Sequence, residues 1–200
     1  MRPDTKTALL DVAEHAARAR GFDGFSYADL ADAVGIRKAS IHYHFPTKAA
    51  LSVALMERYH ATLQDECDRI DETCPTAAQR LLSVIALYRD ALNDGKTLCL
   101  CVALISSRES LSDEVIQKIN DFRAMMVARL TDIFELAQTD NSIRNLDRPP
   151  AEALTTLALL EGAHLTARAE SNVAPFDLAV ELLQARCQHD GQTITPRPVP

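Results

Sequence analysis

Two short stretches of this chain hold residue types at spacings that could do chemistry. Arg37, Lys38, Ser40, His42, Tyr43 and His44 gather cations, a hydroxyl, imidazoles and a phenol into one segment. Such groups suit phosphate oxygens and base edges in a DNA major groove, so this segment is expected to read double-stranded DNA. Lys48 follows at the start of a further helix, where an ammonium and free backbone amides would welcome a phosphate. The second stretch is Thr97-Leu98-Cys99-Leu100-Cys101. It puts a thiol in the first turn of an apolar helix, where exposed amides and the helix dipole favour the reactive thiolate. Cys99 and Cys101 are thus candidates for thiol sensing, and equally for small buried hydrophobes, which is how free cysteine usually behaves.

The elements that must position the first set can be read from their punctuation. Ser26 can cap a helix on which Leu30, Ala31 and Val34 share one face. Gly35 then turns the chain, since a residue without a side chain can take the left-handed conformation. Ile36 and Ile41 can pack back on the first helix, which turns the polar face of the second outward. Pro46 ends that helix, and Thr47 caps the next.

With those residues in view, the first fifty or so positions resemble the TetR family of transcriptional regulators, whose signature is a glycine turn and a small recognition helix ending in aromatic, histidine, phenylalanine, proline and lysine positions. The sequence departs from it at His42, where members often have tyrosine. The resemblance implies a ligand-responsive repressor released from a palindromic operator by a small-molecule inducer. An activator of the same fold is the alternative, as is a redox or electrophile sensor acting through Cys99 or Cys101. It also implies a homodimer, because two heads related by a two-fold axis read the two halves of a palindrome. The segment from Cys99 to Leu104 with Ser110-Leu111-Ser112 looks like a branch with a sensing cysteine, although Ser107 stands where that branch often has glutamate.

Composition agrees with an all-α protein. Of 200 residues 47% are apolar and only 5% aromatic, which is enough for a core rich in alanine and leucine. The net charge of -7 looks wrong for a DNA binder until it is divided. Residues 1–48 hold seven Lys or Arg against six Asp or Glu, whereas the remainder holds fourteen against twenty-two. The acid lies in the body, and a small reading head needs only a local basic face. The N-terminus lacks a secretory segment and no run suits a membrane span, so a cytoplasmic location is expected. Five cysteines, at 67, 74, 99, 101 and 187, do not suggest a disulfide framework there. No glycine-rich phosphate loop, serine elbow or metal-ligand spacing occurs, so neither an enzyme, a cofactor nor a metal is expected.

Three divisions follow: a helix-turn-helix domain over 1–48, a ligand-binding and dimerisation domain over 49–188, and a disordered tail over 189–200. The first helix is expected from Asp4 to Arg20. A long lever runs from Lys48 to about Glu72, a helix opens at Pro75 and ends near Leu92, and a buried one covers Leu98 to about Arg108. Helices from Ser112 to about Ala137, Pro149 to about Glu170 and Pro175 to about Gln188 complete the body. The last two carry more apolar surface than one subunit can cover, which suggests association. His164, on one of those apolar faces near Glu161, is expected to be a satisfied packing group, with an interface or pocket group as the alternative. Arg123 and Arg129 are expected in surface or intersubunit pairs.

Overall fold

The computed structural model describes residues 4–187, so the expected tail over 189–200 lies outside the described residues. Within them the chain forms nine α-helices and one turn of 3-10 helix, and no strand. In order the helices are α1 (Thr5–Arg20), α2 (Tyr27–Val34), α3 (Lys38–His44), α4 (Lys48–Thr73), α5 (Ala77–Ala91), α6 (Leu100–Ile105), α7 (Asp113–Asp140), α8 (Pro149–Glu170) and α9 (Ala174–Gln184).

Capping chemistry places most of these boundaries. Asp4, Ser26, Thr47, Thr76 and Ser112 each accept a first-turn amide, satisfying donors that have no partner inside the helix. Asn141 and Ser171 take the left-handed conformation and end α7 and α8. The expected start of α5 at Pro75 is two residues early. Thr76 and Gln79 form a reciprocal capping box, while Asp140 and Ser142 accept the Ala77 and Ala78 amides, so the helix begins only at Ala77.

Two other elements are shorter than expected, each because the backbone is needed elsewhere. Leu98 is not helical: its amide donates to the Arg18 carbonyl at 2.9 Å, and α6 starts only at Leu100. Past Gln184 the chain leaves α9 and pairs with the α7–α8 loop through an isolated bridge between Ile143 and Cys187.

The core runs without interruption from head to body. Leu9, Leu30 and Ile41 close the head, Leu51 and Leu55 carry the apolar stripe along α4, and Phe122, Phe134 and Phe176 fill the body. α1 packs on α2, α4 and α6, so the head touches the body through α6 as well as through the lever. Among the described residues no helix is long and apolar enough to cross a membrane.

Candidate DNA-reading face and thiol pocket

The head is built to hold one short helix outward. Ser26 and Asp29 bond each other's backbone amides, which starts α2 and holds the Asp29 carboxyl below its usual range. Gly35, at φ 76° and ψ 37°, makes the turn in a conformation other residues rarely take. Ile41, fully buried, anchors α3 beneath. The Tyr27 hydroxyl donates to the Phe45 carbonyl at 2.9 Å and fixes the far end of α3.

On the outer side Arg37, Lys38, His42 and Tyr43 are exposed, with Tyr43 at 85%. Among the described residues neither Arg37 nor Lys38 has an acidic partner, which leaves both cations available to an external anion. Ser40 and His44 are half-buried at the edge of this face. His42 is less free than its exposure suggests, because its Nδ1 lies 3.2 Å from the Pro46 carbonyl and its ring packs on Tyr27.

Lys48 occupies a different position from the one its sequence context suggests. Its ammonium donates to the Phe25 carbonyl at 2.6 Å and sits over the Phe22 and Phe25 rings, 4.5 and 4.2 Å from their centroids. Burial lowers its pKa. The side chain therefore ties the start of α4 to the α1–α2 loop.

The thiol pocket lies where α4, α5, α6 and α8 meet. Cys99 is the N-cap residue of α6 and is 2% exposed. The neighbouring Cys101 thiol is the main influence that lowers Cys99 to about 7; burial opposes it, and the Tyr59 hydroxyl and the Val102 and Cys101 amides assist. Tyr59 Oη donates to Cys99 Sγ at 3.4 Å. Cys101 is correspondingly pushed up, first by its place beside Cys99 and then by burial.

His164 is the satisfied packing group its position suggested. Its Nδ1 accepts the Cys99 amide at 3.1 Å, which leaves Nε2 to donate to the Tyr88 carbonyl at 2.8 Å. Burial lowers its pKa to about 4, so the ring is neutral at pH 7. The Tyr88 hydroxyl is buried and has no hydrogen-bond partner among the described residues. Beside the pocket, an open cleft of about 510 Å³ between α1, α4 and α5 is lined by Glu14, Arg18, Arg58, Leu63 and Leu87, with Tyr59 in its wall.

Known proteins agree with this geometry at both ends of the molecule. Residues 9–55 match the family described as bacterial regulatory proteins, tetR family. The HTH-type transcriptional repressor NemR of Escherichia coli K12 is 25% identical over 183 residues, spanning 88% of this chain and 90% of the repressor. The HTH-type transcriptional regulator TtgR of Pseudomonas putida is 29% identical over 97 residues, 47% of this chain and 46% of that protein. A TetR-family regulator from Agrobacterium tumefaciens superposes with a TM-score of 0.86 at 25% identity, covering 92% of this chain and 97% of its own. Residues 9–55 carry the tetR-family match, and over most of its length the chain is similar to TetR-family transcriptional regulators. The fold of reduced NemR from Escherichia coli also superposes, with a TM-score of 0.78 at 23% identity over 95% of this chain and all of that one.

In this chain α3 and its N-cap group Arg37, Lys38, Ser40, His42, Tyr43 and His44 on or beside one outward face, whereas Lys48 turns inward. Cys99 and Cys101 are both buried at the start of α6. Several participants carried no signal in the sequence. Lys6 on α1 reaches the Phe45 ring at 5.9 Å and adds a cation beside α3. Tyr59 and Tyr88 meet Cys99 only through the tertiary fold. Arg18, one more arginine on an amphipathic helix, donates to the Leu98 and Ala91 carbonyls at 2.9 and 2.6 Å. Arg123 and Arg129 pair within the subunit, with Glu161 and with Asp68 and Asp71.

Proposed function

We propose that this regulator is a homodimeric repressor that reads operator DNA through α3 and is released by a small molecule bound in its body. The observation that carries the reading is the outward, acid-free face of Arg37, Lys38 and Tyr43 held on a capped α2. Arg37, Lys38 and Tyr43 would meet base edges; Ser40 and His44 would position phosphates, while His42, held against Pro46 and Tyr27, borders the face. The head would comprise residues 1–48 and the sensing and dimerisation body 49–188. NemR, the relative matched over most of the chain, is a repressor, which favours repression over activation. A regulator of this kind works in the cytoplasm beside the chromosome.

The partner copy is supported by α8 and α9. Leu154, Leu165, Leu178 and Leu182 are exposed by 56, 51, 71 and 82%, an apolar surface that a second subunit would cover. A two-fold pairing there would present two heads to one palindrome. An inducer that prefers the wrong head spacing by ~1–3 kcal/mol would weaken operator binding roughly 5–150-fold.

Cys99 supports a second route of release, covalent modification of the thiol, because its sulfur accepts hydrogen bonds that favour the thiolate. Binding of the purified protein to DNA upstream of its own gene tests the first reading. Tyr43→Ala and Arg37→Ala should each weaken specific binding by ~1–3 kcal/mol while the dimer remains intact. Variants that bind as tightly as the parent would end the assignment of α3 as the reading helix.

A further inference from the structure

The last carbonyls of a helix have no partner inside it, and those of α1 are taken up by three separate parts of the chain. The Gly21 amide donates to the Ala17 carbonyl at 2.8 Å, the Leu98 amide to the Arg18 carbonyl at 2.9 Å, and Arg168 Nη2 to the Ala19 carbonyl at 3.0 Å. Only the first of these is local. Arg168 belongs to α8 and lies 149 residues from Ala19 in the sequence. Its cation also meets the negative end of the α1 dipole, which favours the contact further. Among the described residues Arg168 forms no ion pair, so its guanidinium is committed to the head rather than to a carboxylate.

The end of α8 also grips the loop between α5 and α6. Gly95, at φ 78°, packs so closely there that a side-chain carbon would come 2.4 Å from the Asn172 amide nitrogen and 2.9 Å from the Ala167 carbonyl oxygen. The same loop carries Leu98, and Arg18 returns bonds to the Leu98 and Ala91 carbonyls. Arg89 on α5 pairs with Asp177 on α9 through two bonds of 2.7 and 2.9 Å. The ends of α5 and α8 and the start of α9 therefore form one block, to which the C-terminus of α1 is bonded. Leu165 and Leu178, exposed on the proposed pairing face, belong to the same α8 and α9, and Leu165 stands three positions before Arg168. Arg58 acts elsewhere: its bonds to Asp11 and Glu14 join the middle of α1 to α4, which runs straight on from the head.

We propose that Arg168 is a positioning residue for operator reading: it holds α1 to the end of α8 and so fixes each head relative to the face through which two subunits pair. This rests on the pairing through α8 and α9 proposed above. Two heads can occupy both half-sites of a palindrome only at a matching separation and rotation, because half-sites lie about 34 Å, or a multiple of it, apart. A rigid joint between the pairing helix and the head restricts the dimer to that geometry before it meets DNA. A looser joint lets the heads follow other spacings and lowers the preference among them. Loss of Arg168 loosens the joint without freeing it, since Arg18 still holds α1 to Leu98 and Ala91.

The test uses the full-length protein and the operator found upstream of its own gene, together with versions carrying one or two base pairs inserted or removed at its centre. The parent should be a dimer that favours one spacing. Arg168→Met keeps the apolar stem and removes the donor; its affinity for that spacing should fall roughly 2–30-fold, with a smaller loss on the altered spacings, so that the ratio between them narrows. Arg168→Gln replaces it should the methionine fail to fold. The salt dependence of binding should keep its slope, and Arg168→Lys, which retains a cation and a donor, should recover most of the parent's discrimination. An Arg168→Met protein with the parent's ratio overturns the positioning role and leaves the pairing standing. Equal losses at every spacing overturn it as well: with an unchanged salt slope Arg168 would be a stabilising contact only, and with a slope shallower by about one unit a phosphate contact. A parent that is monomeric, or that binds all spacings alike, overturns the pairing itself and the role with it.

Discussion

The reading head and the thiol pocket put the same kinds of polar group to opposite use. At α3 the Arg37 and Lys38 cations and the Tyr43 phenol face water, the cations with no acidic partner among the described residues. Around Cys99, two tyrosines, a histidine and two thiols are buried, and all but the Tyr88 hydroxyl are engaged with one another. A surface that binds an outside partner needs unspent donors. A site that responds by moving needs its polar groups committed to neighbours, so that changing one disturbs the next. The difference teaches where stability and recognition separate: substitutions on α3 should alter affinity and spare the fold, and those around Cys99 should do the reverse.

His164→Ala should produce the largest effect on this contrast. It removes the acceptor of the Cys99 amide and the donor to the Tyr88 carbonyl, and leaves a cavity against Phe176 and Tyr88. Two orphaned buried groups and the lost packing should cost about 4 kcal/mol of unfolding free energy. Urea denaturation measures it. A loss below about 1 kcal/mol would mean that the pocket is no more committed than the surface.

Acid should act through the same residue. Burial lowers His164 from 6.5 in the unfolded chain to about 4 in the fold, so the unfolded state binds the proton first as pH falls. The stabilisation is complete above pH 6.5 and drains away through the window down to 4, a loss of about 3 kcal/mol at pH 4. His164→Gln carries no titrating group and should lack this part of the acid sensitivity. Denaturation of parent and variant at pH 7 and pH 4 isolates it, since their shared carboxylates cancel; equal losses in the two proteins would break the assignment.

How legible each region was in the sequence follows from the same difference. The head was readable because its signals are local: Ser26 and Asp29 lie three apart, Gly35 makes its own turn, and Ile41 against Arg37 and Tyr43 is one helical face. Cys99 and Cys101 could be picked out as a pair, and the apolar run around them showed that they would be buried. Tyr59 and Tyr88 could not be assigned, because nothing near either residue distinguishes a pocket tyrosine from a core one until α4, α5 and α6 are packed. Arg18 was equally silent, since its partners lie 73 and 80 residues away. Backbone demand also escaped local reading: Leu98 belongs to an apolar run that continues α6, yet its amide and carbonyl are taken by α1.

Lys48 is the residue on which the contrast can be sharpened, since it belongs to the head by position and resembles the pocket in its bonding. Lys48→Met keeps the length and apolar stem, removes the donor to Phe25 and ends the cation contact with two rings. An inward, structural lysine should then cost about 2 kcal/mol of stability, read by thermal or urea unfolding. The salt dependence of operator binding should keep its slope, because no phosphate contact has gone. A phosphate-binding lysine would give the opposite pair of results, stability unmoved and a slope shallower by roughly one unit. The two measurements together decide whether the ammonium is committed to the fold or, like Arg37 and Lys38, held in reserve for DNA.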